Sequence, residues 1–162
     1  MKMELIQPFI NAADAVLAEN LQGATRIEDV SMEPEVYHRK GIAAKIMIRG
    51  DIEGRIIFDL EPGTAHRVAN FLAGSELPES DTLIHETIFE LANQVIGNAV
   101  TTLNDQGFSF KVFPPELHNS EEGFQGTEDT EALVMCFDTR SGPVYMNIAM
   151  HYNRRRRGEH KS

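Results

Sequence analysis

From Ile84 to Leu103 the apolar residues recur at the spacing of a helix. Ile84, Ile88, Leu91, Ala92, Val95, Ile96, Ala99 and Leu103 fall on one broad side when successive residues are set about 100° apart. A side that long and that wide has to be covered, and a sheet with one apolar face covers it best. The chain supplies the strands. G-I-A-A-K-I-M-I-R alternates, with Ile42, Ala44, Ile46 and Ile48 on one face, and R-I-I-F-D-L returns after the turn G-D-I-E-G, so residues 41 to 60 read as a hairpin. A-L-V-M-C-F and V-Y-M-N-I-A-M-H-Y flank T-R-S-G-P and read as a second hairpin. The expected class is α+β, a largely antiparallel sheet with helices packed on one face.

The remaining elements fill in the order. Ile6, Ile10, Ala13, Leu17 and Leu21 step by three and four, which predicts a first helix with Pro8 in its first turn and Gly23 as its stop. Residues 24 to 38 are weakly patterned and read as one strand broken near Pro34. Pro62 opens a shorter helix that ends at Gly74. Ser80 or Asp81 caps the long helix, and Gly107 lies just past its end. F-S-F-K-V-F alternates into Pro114 as another strand, and 116 to 129 reads as a polar loop. The expected order is α-β-β-β-α-α-β-β-β, without a strong internal repeat. Residues 1–153 form one domain and 154–162 a basic, solvated tail.

Charge narrows the function. The chain holds 15 basic and 25 acidic residues, a net −10. Five of the basic residues (Arg154, Arg155, Arg156, Arg157, Lys161) and one acid, Glu159, lie in the tail, so the body carries about −14. Such a body repels a phosphate backbone, so no nucleic-acid partner is expected. No apolar run approaches the roughly 18 residues of a membrane span, and M-K-M-E-L-I-Q-P-F lacks the apolar core of a signal peptide. A single cysteine, Cys136, excludes an intrachain disulfide framework and fits a reducing cytoplasm.

Along the edge of the apolar side of the long helix runs a polar stripe of Glu86, Glu90, Asn93, Gly97 and Asn104. Glu90 and Asn93 are neighbours at the i,i+3 separation, and Gly97 continues the row. A mid-helix glycine costs about 1 kcal/mol relative to alanine, so it needs a reason. Two reasons are open: room for a neighbouring helix of the same domain, or close approach by another protein's backbone. In the second case an amide can hold a water in line for attack, and positioning of that kind is most of what phosphoryl transfer asks of a protein. A carboxylate one turn away can pair with a partner's lysine. The pair has no nucleophile or metal cluster, so the rest of the chemistry would come from whatever docks.

Glu90-Leu-Ala-Asn93 followed by Gly97-Asn98-Ala99 resembles the E-x-x-N-x-x-x-G-N-A stretch of the CheC/CheX/FliY phosphatases of bacterial chemotaxis, and the single copy with this element order is most similar to CheX. The resemblance extends to P-F-I-N-A-A in the first helix, the F-D-L hairpin, the helix closing on F-L-A-G and the last hairpin. It implies a cytoplasmic, CheX-like homodimer that docks on a phosphorylated CheY-type response regulator and hydrolyses its aspartyl phosphate. Asn93 would orient the water and Glu90 would contact the regulator's lysine, with Glu86, Gly97 and Asn98 in the docking surface. The protein would need no cofactor of its own, Mg²⁺ being held by the regulator. Relatives carry Asp or Ser where this chain has Glu86, and a proline about twenty residues after the Asn, matched here by Pro114 or Pro115. CheC-type members carry the motif twice; here the first helix offers Glu19-Asn20-Leu21-Gln22 without G-N-A, which reads as a surface helix end.

Other motifs carry less. H-E-T-I-F begins like the H-E-x-x-H zinc motif, but Phe89 replaces the second ligand. His38, His66, His118 and His151 have no metal spacing, and Cys136 sits in an apolar strand as a core residue. The methionines of the last strands read as core or dimer interface. Two alternatives stand beside the phosphatase: a binding and assembly module of the flagellar-switch type, which lacks the Glu and Asn, and a phosphatase of a regulator outside chemotaxis.

Overall fold

The computed structural model describes residues 3–21, 26–34, 41–76, 81–118 and 131–153. The elements run α1 (Met3–Leu21), β1 (Arg26–Pro34), β2 (Ile42–Gly50), β3 (Ile52–Leu60), α2 (Pro62–Ala73), α3 (Asp81–Asp105), β4 (Phe110–Val112), β5 (Glu116–His118), β6 (Glu131–Thr139) and β7 (Gly142–Tyr152). Seven strands make one sheet in the order β1-β6-β7-β3-β2, with β4 and β5 both on the free edge of β2, and every pairing is antiparallel. The three helices share one core with Ala44, Ile46 and Ile48 of β2, Ile52, Ile56, Phe58 and Leu60 of β3, and alternate residues of β6 and β7. The α+β class with helices on one face is therefore what the fold has.

Local chemistry sets the boundaries. Pro62 opens α2, and Gly74 closes it at φ 73°, its amide donating to the Phe71 carbonyl. Gly107, at φ 95°, ends α3, where its amide reaches the Asn104 carbonyl (2.9 Å) and that of Phe108 reaches Leu103 (3.2 Å). Two expectations need correction. Pro8 lies in the second turn of α1, because the helix already starts at Met3. Without an amide proton Pro8 cannot bond the Glu4 carbonyl, but buried Leu5, Ile6, Phe9 and Ile10 around it hold the turn to the core. The expected loop from 116 begins instead as β5, pairing Glu116 to His118 with Lys45 to Ala43. Pro114 and Pro115, lacking amide protons, split this edge strand into β4 and β5. Residues 119–130, the tail from Arg154, Gly23, His38 and Ser80 lie outside the described residues.

The topology contains a duplication. The chain folds as α-β-β-β twice, α1-β1-β2-β3 and α3-(β4, β5)-β6-β7, with α2 between the halves. The returning strands β3 and β7 lie side by side at the centre, β2 and β6 flank them, and each half gives its first strand to the outer edge of the other half. On the sheet face away from the helices Arg55 (6% exposed) and Asn147 (1%) are buried beside Ile57. Among the described residues neither Arg55 Nε and Nη1 nor Asn147 Oδ1 has a hydrogen-bond partner. Burial lowers the pKa of the Arg55 guanidinium.

Candidate active site on the long helix

Helix α3 turns its apolar side to the sheet as the periodicity requires. Ile84, Ile88, Leu91, Ala92, Val95, Ile96, Ala99 and Leu103 are all buried. Glu86, Glu90, Asn93 and Gly97 are exposed. They share one stripe along the outer edge of the helix, which Leu83, a leucine that sequence reasoning left out, extends by one exposed apolar side chain. Thr87 and Thr101, next to the stripe, donate their hydroxyls back to the Leu83 and Gly97 carbonyls (2.9 and 3.0 Å). They offer little competition for a visitor.

Gly97 decides between the two reasons for its presence. A Cβ built there would meet nothing within 4 Å. Among the described residues no neighbouring helix needs the space, so the packing explanation finds no support there. Around Gly97 the side chains of Glu90 and Asn93 stand in solvent, without a hydrogen bond to any described residue. An exposed carboxylate and an exposed amide beside a bare backbone can accept a partner's cation, hold a water and admit a closely docked surface.

Asn98 lies outside the stripe. It lies about 100° around the helix from Gly97 and lines an open groove of about 650 Å³ between α1 and α3, with Glu4, Gln7, Asn11, Thr102 and Gln106 among the other walls. Nearer Asn93 the two helices are bridged, the Asn20 amide donating to Gln94 Oε1 (3.1 Å) and to the Val16 carbonyl (2.8 Å). That leaves Asn20 in a structural role, as the reading of Glu19–Gln22 as a helix end expects. Under α3 lies a void of about 10 Å³, lined by apolar residues such as Phe58, Ile88 and Val144. It is too small for a ligand.

Among the described residues no group of His, Cys, Asp or Glu could hold a metal ion. Cys136 is buried, and Met135, Met146 and Met150 belong to the helix-side core. No described helix is long and apolar enough to cross a membrane.

The chain matches the family described as chemotaxis phosphatase CheX over residues 42–138. Among solved structures it is similar to a chain of the CheX-CheY-BeF3-Mg²⁺ complex from Borrelia burgdorferi, at 30% identity and a TM-score of 0.73, covering 93% of this chain and 99% of that one. A CheC-like superfamily protein from Shewanella sp. PV-4 aligns with a TM-score of 0.82 at 21% identity, over 93% of this chain and 99% of the other. FliY from Thermotoga maritima aligns with a TM-score of 0.56 at 18% identity, over 90% and 86%. These last two likenesses speak to the fold alone. No curated protein sequence matches the chain.

Proposed function

This chain belongs to the CheX family of chemotaxis phosphatases, and from that premise we propose that it docks on a phosphorylated CheY-type response regulator and hydrolyses the aspartyl phosphate. The observation that carries the reading is the open surface at Gly97, flanked by the exposed Glu90 and Asn93. The related chain that was solved with CheY, BeF3 and Mg²⁺ makes a receiver domain the natural class of partner.

In this reading Glu90 pairs with a lysine beside the phosphoaspartate and fixes the register of docking. Gly97 lets the partner's backbone come close, with Glu86 and Asn98 on either side of the contact. The Asn93 amide then holds a water against the phosphorus. The water oxygen bonds to phosphorus as the bond from phosphorus to the aspartate oxygen breaks. Carboxylate is regenerated, and inorganic phosphate leaves with the water's protons shared between it and solvent. The regulator's own Mg²⁺ would supply charge neutralisation at the phosphoryl oxygens. A homodimer in the cytoplasm is part of the same proposal, although the stripe is complete within one chain; sedimentation velocity of the free protein tests the dimer independently.

The deciding experiment follows phosphate loss from a phosphorylated CheY-type regulator with Mg²⁺ present. Wild type is expected to accelerate it. Asn93→Ala is expected to lower the acceleration roughly 10- to 100-fold, the scale of a misplaced reactant, with much of the binding kept. Binding of the phosphorylated regulator without acceleration by wild type would refute the enzyme reading and favour an adaptor.

A further inference from the structure

Gln94 follows Asn93 by one position and falls on the other flank of the line from Glu90 to Gly97. With successive residues about 100° apart, Asn93 lies about 40° to one side of Gly97 and Gln94 about 60° to the other. Gln94 is exposed, as Glu90, Asn93 and Gly97 are. Unlike Glu90 and Asn93 it is tethered, its Oε1 accepting a hydrogen bond from the Asn20 side-chain amide of α1 (3.1 Å).

The tether decides which end of Gln94 faces outward. Asn20 Nδ2 also donates to the Val16 carbonyl (2.8 Å). A carbonyl only accepts, so the Asn20 nitrogen is the atom turned to this contact, and it can meet Gln94 only through the glutamine oxygen. Gln94 Nε2 is thereby left on the far side from Asn20 with two hydrogens, which have no acceptor among the described residues. A backbone docked closely on Gly97 loses water from its carbonyls, and a buried carbonyl without a donor is costly.

We propose that Gln94 is a docking residue for the receiver domain. Its amide hydrogens bond a main-chain carbonyl of the partner segment that rests on Gly97, and Asn20 is the positioning residue that keeps them turned outward. The proposal rests on the docking at Gly97 given above. Gln94 sits one turn before Gly97, about 4.5 Å along the helix axis, within side-chain reach of the bare backbone. Other groups nearby are less suited. Thr101 donates its hydroxyl hydrogen to the Gly97 carbonyl (3.0 Å), and the carboxylates of Glu86 and Glu90 only accept. Asn98, about 100° around from Gly97, faces the groove between the helices. A bond to main chain does not read the partner's side chain at that position, so Gln94 supports docking in general while Glu90 selects the lysine. Because Asn20 already holds the glutamine, little rotamer freedom remains to be lost on binding.

The test uses wild type, Gln94→Met, Asn20→Ala and the double variant of the full chain. It measures Kd for a CheY-type regulator loaded with BeF3 and Mg²⁺, and kcat and KM for phosphate loss from the phosphorylated regulator. Methionine matches glutamine in length and has no donor. Gln94→Met is expected to raise Kd and KM about 5- to 150-fold, the effect of one docked carbonyl without a donor, with kcat within about twofold of wild type. Asn20→Ala should raise both less, and its effect should vanish when residue 94 is already methionine. An unchanged Kd in Gln94→Met, while wild type binds and accelerates, overturns the proposal and leaves the roles of Glu90 and Asn93 standing. An Asn20→Ala effect that persists in the double variant overturns the positioning role of Asn20. If wild type neither binds the loaded regulator nor accelerates phosphate loss, both readings fall together.

Discussion

Replacing Gly97 by alanine should move stability and activity in opposite directions. Gly97 lies well inside α3, and its added Cβ would touch nothing within 4 Å. The substitution therefore changes only helix propensity, worth about 0.8–1.0 kcal/mol in favour of alanine. For a domain of this size that corresponds to a rise in Tm of about 2–4 °C. In the docked complex the same methyl intrudes where a partner's backbone is proposed to rest. Overpacking a close contact costs about 1–3 kcal/mol, so regulator dephosphorylation should fall about 5- to 150-fold. Urea titration and the phosphatase assay on one preparation read the two effects separately. A destabilised Gly97→Ala would show that the glycine serves the fold after all. A stabilised but fully active one would show that no close approach happens at this position.

Three further substitutions probe other parts of the argument. Glu90→Ala should weaken regulator binding several-fold at low ionic strength, with the difference narrowing as salt screens the proposed ion pair; titrations at two salt concentrations check it, and a salt-independent gap would argue against a charge contact. Arg55→Met should raise stability by about 1–3 kcal/mol in urea titration, because the buried guanidinium has two nitrogens without a partner among the described residues and methionine removes that cost. Gly54→Ala should destabilise by more than about 2 kcal/mol, because at φ 157° its Cβ would run into the Ala149 carbonyl of β7; an unchanged melting curve would mean that the central strand pair can shift.

The parts of the fold legible in the sequence were those with a sustained period. Alternation over Ile42–Ile48 and the 3.6-residue repeat from Ile84 to Leu103 each assign one face of an element to the core, and those faces are the buried ones. β5 is three residues long, too short to show any period, and it follows two prolines that read as a stop. The duplication escaped because its halves share topology more than sequence: between Glu4–Ala13 of α1 and Glu90–Ala99 of α3 only Glu, Leu, Ile and Ala coincide. In the α3 stripe the residue types were legible, but the emptiness around Gly97 was not. Periodicity says which way a position points and nothing about what stands opposite it.

The exchange of first strands between the halves has a consequence for synthesis on the ribosome. Among the described strands β1 pairs with β6 alone, Arg26 opposite Asp138, so more than a hundred residues must be made after β1 before that partner is complete. At about 5–20 residues per second that is a delay of roughly 6–22 s. During this time β1 has no strand of its own half to pair with, and the β2–β3 hairpin lacks both its edge cover and its central neighbour. Neither half can close its sheet alone, so folding must wait for β6 and β7, the last hairpin of the sheet. Long-range closure of this kind is slow, and the unfinished chain is where chaperone capture or aggregation would compete with it.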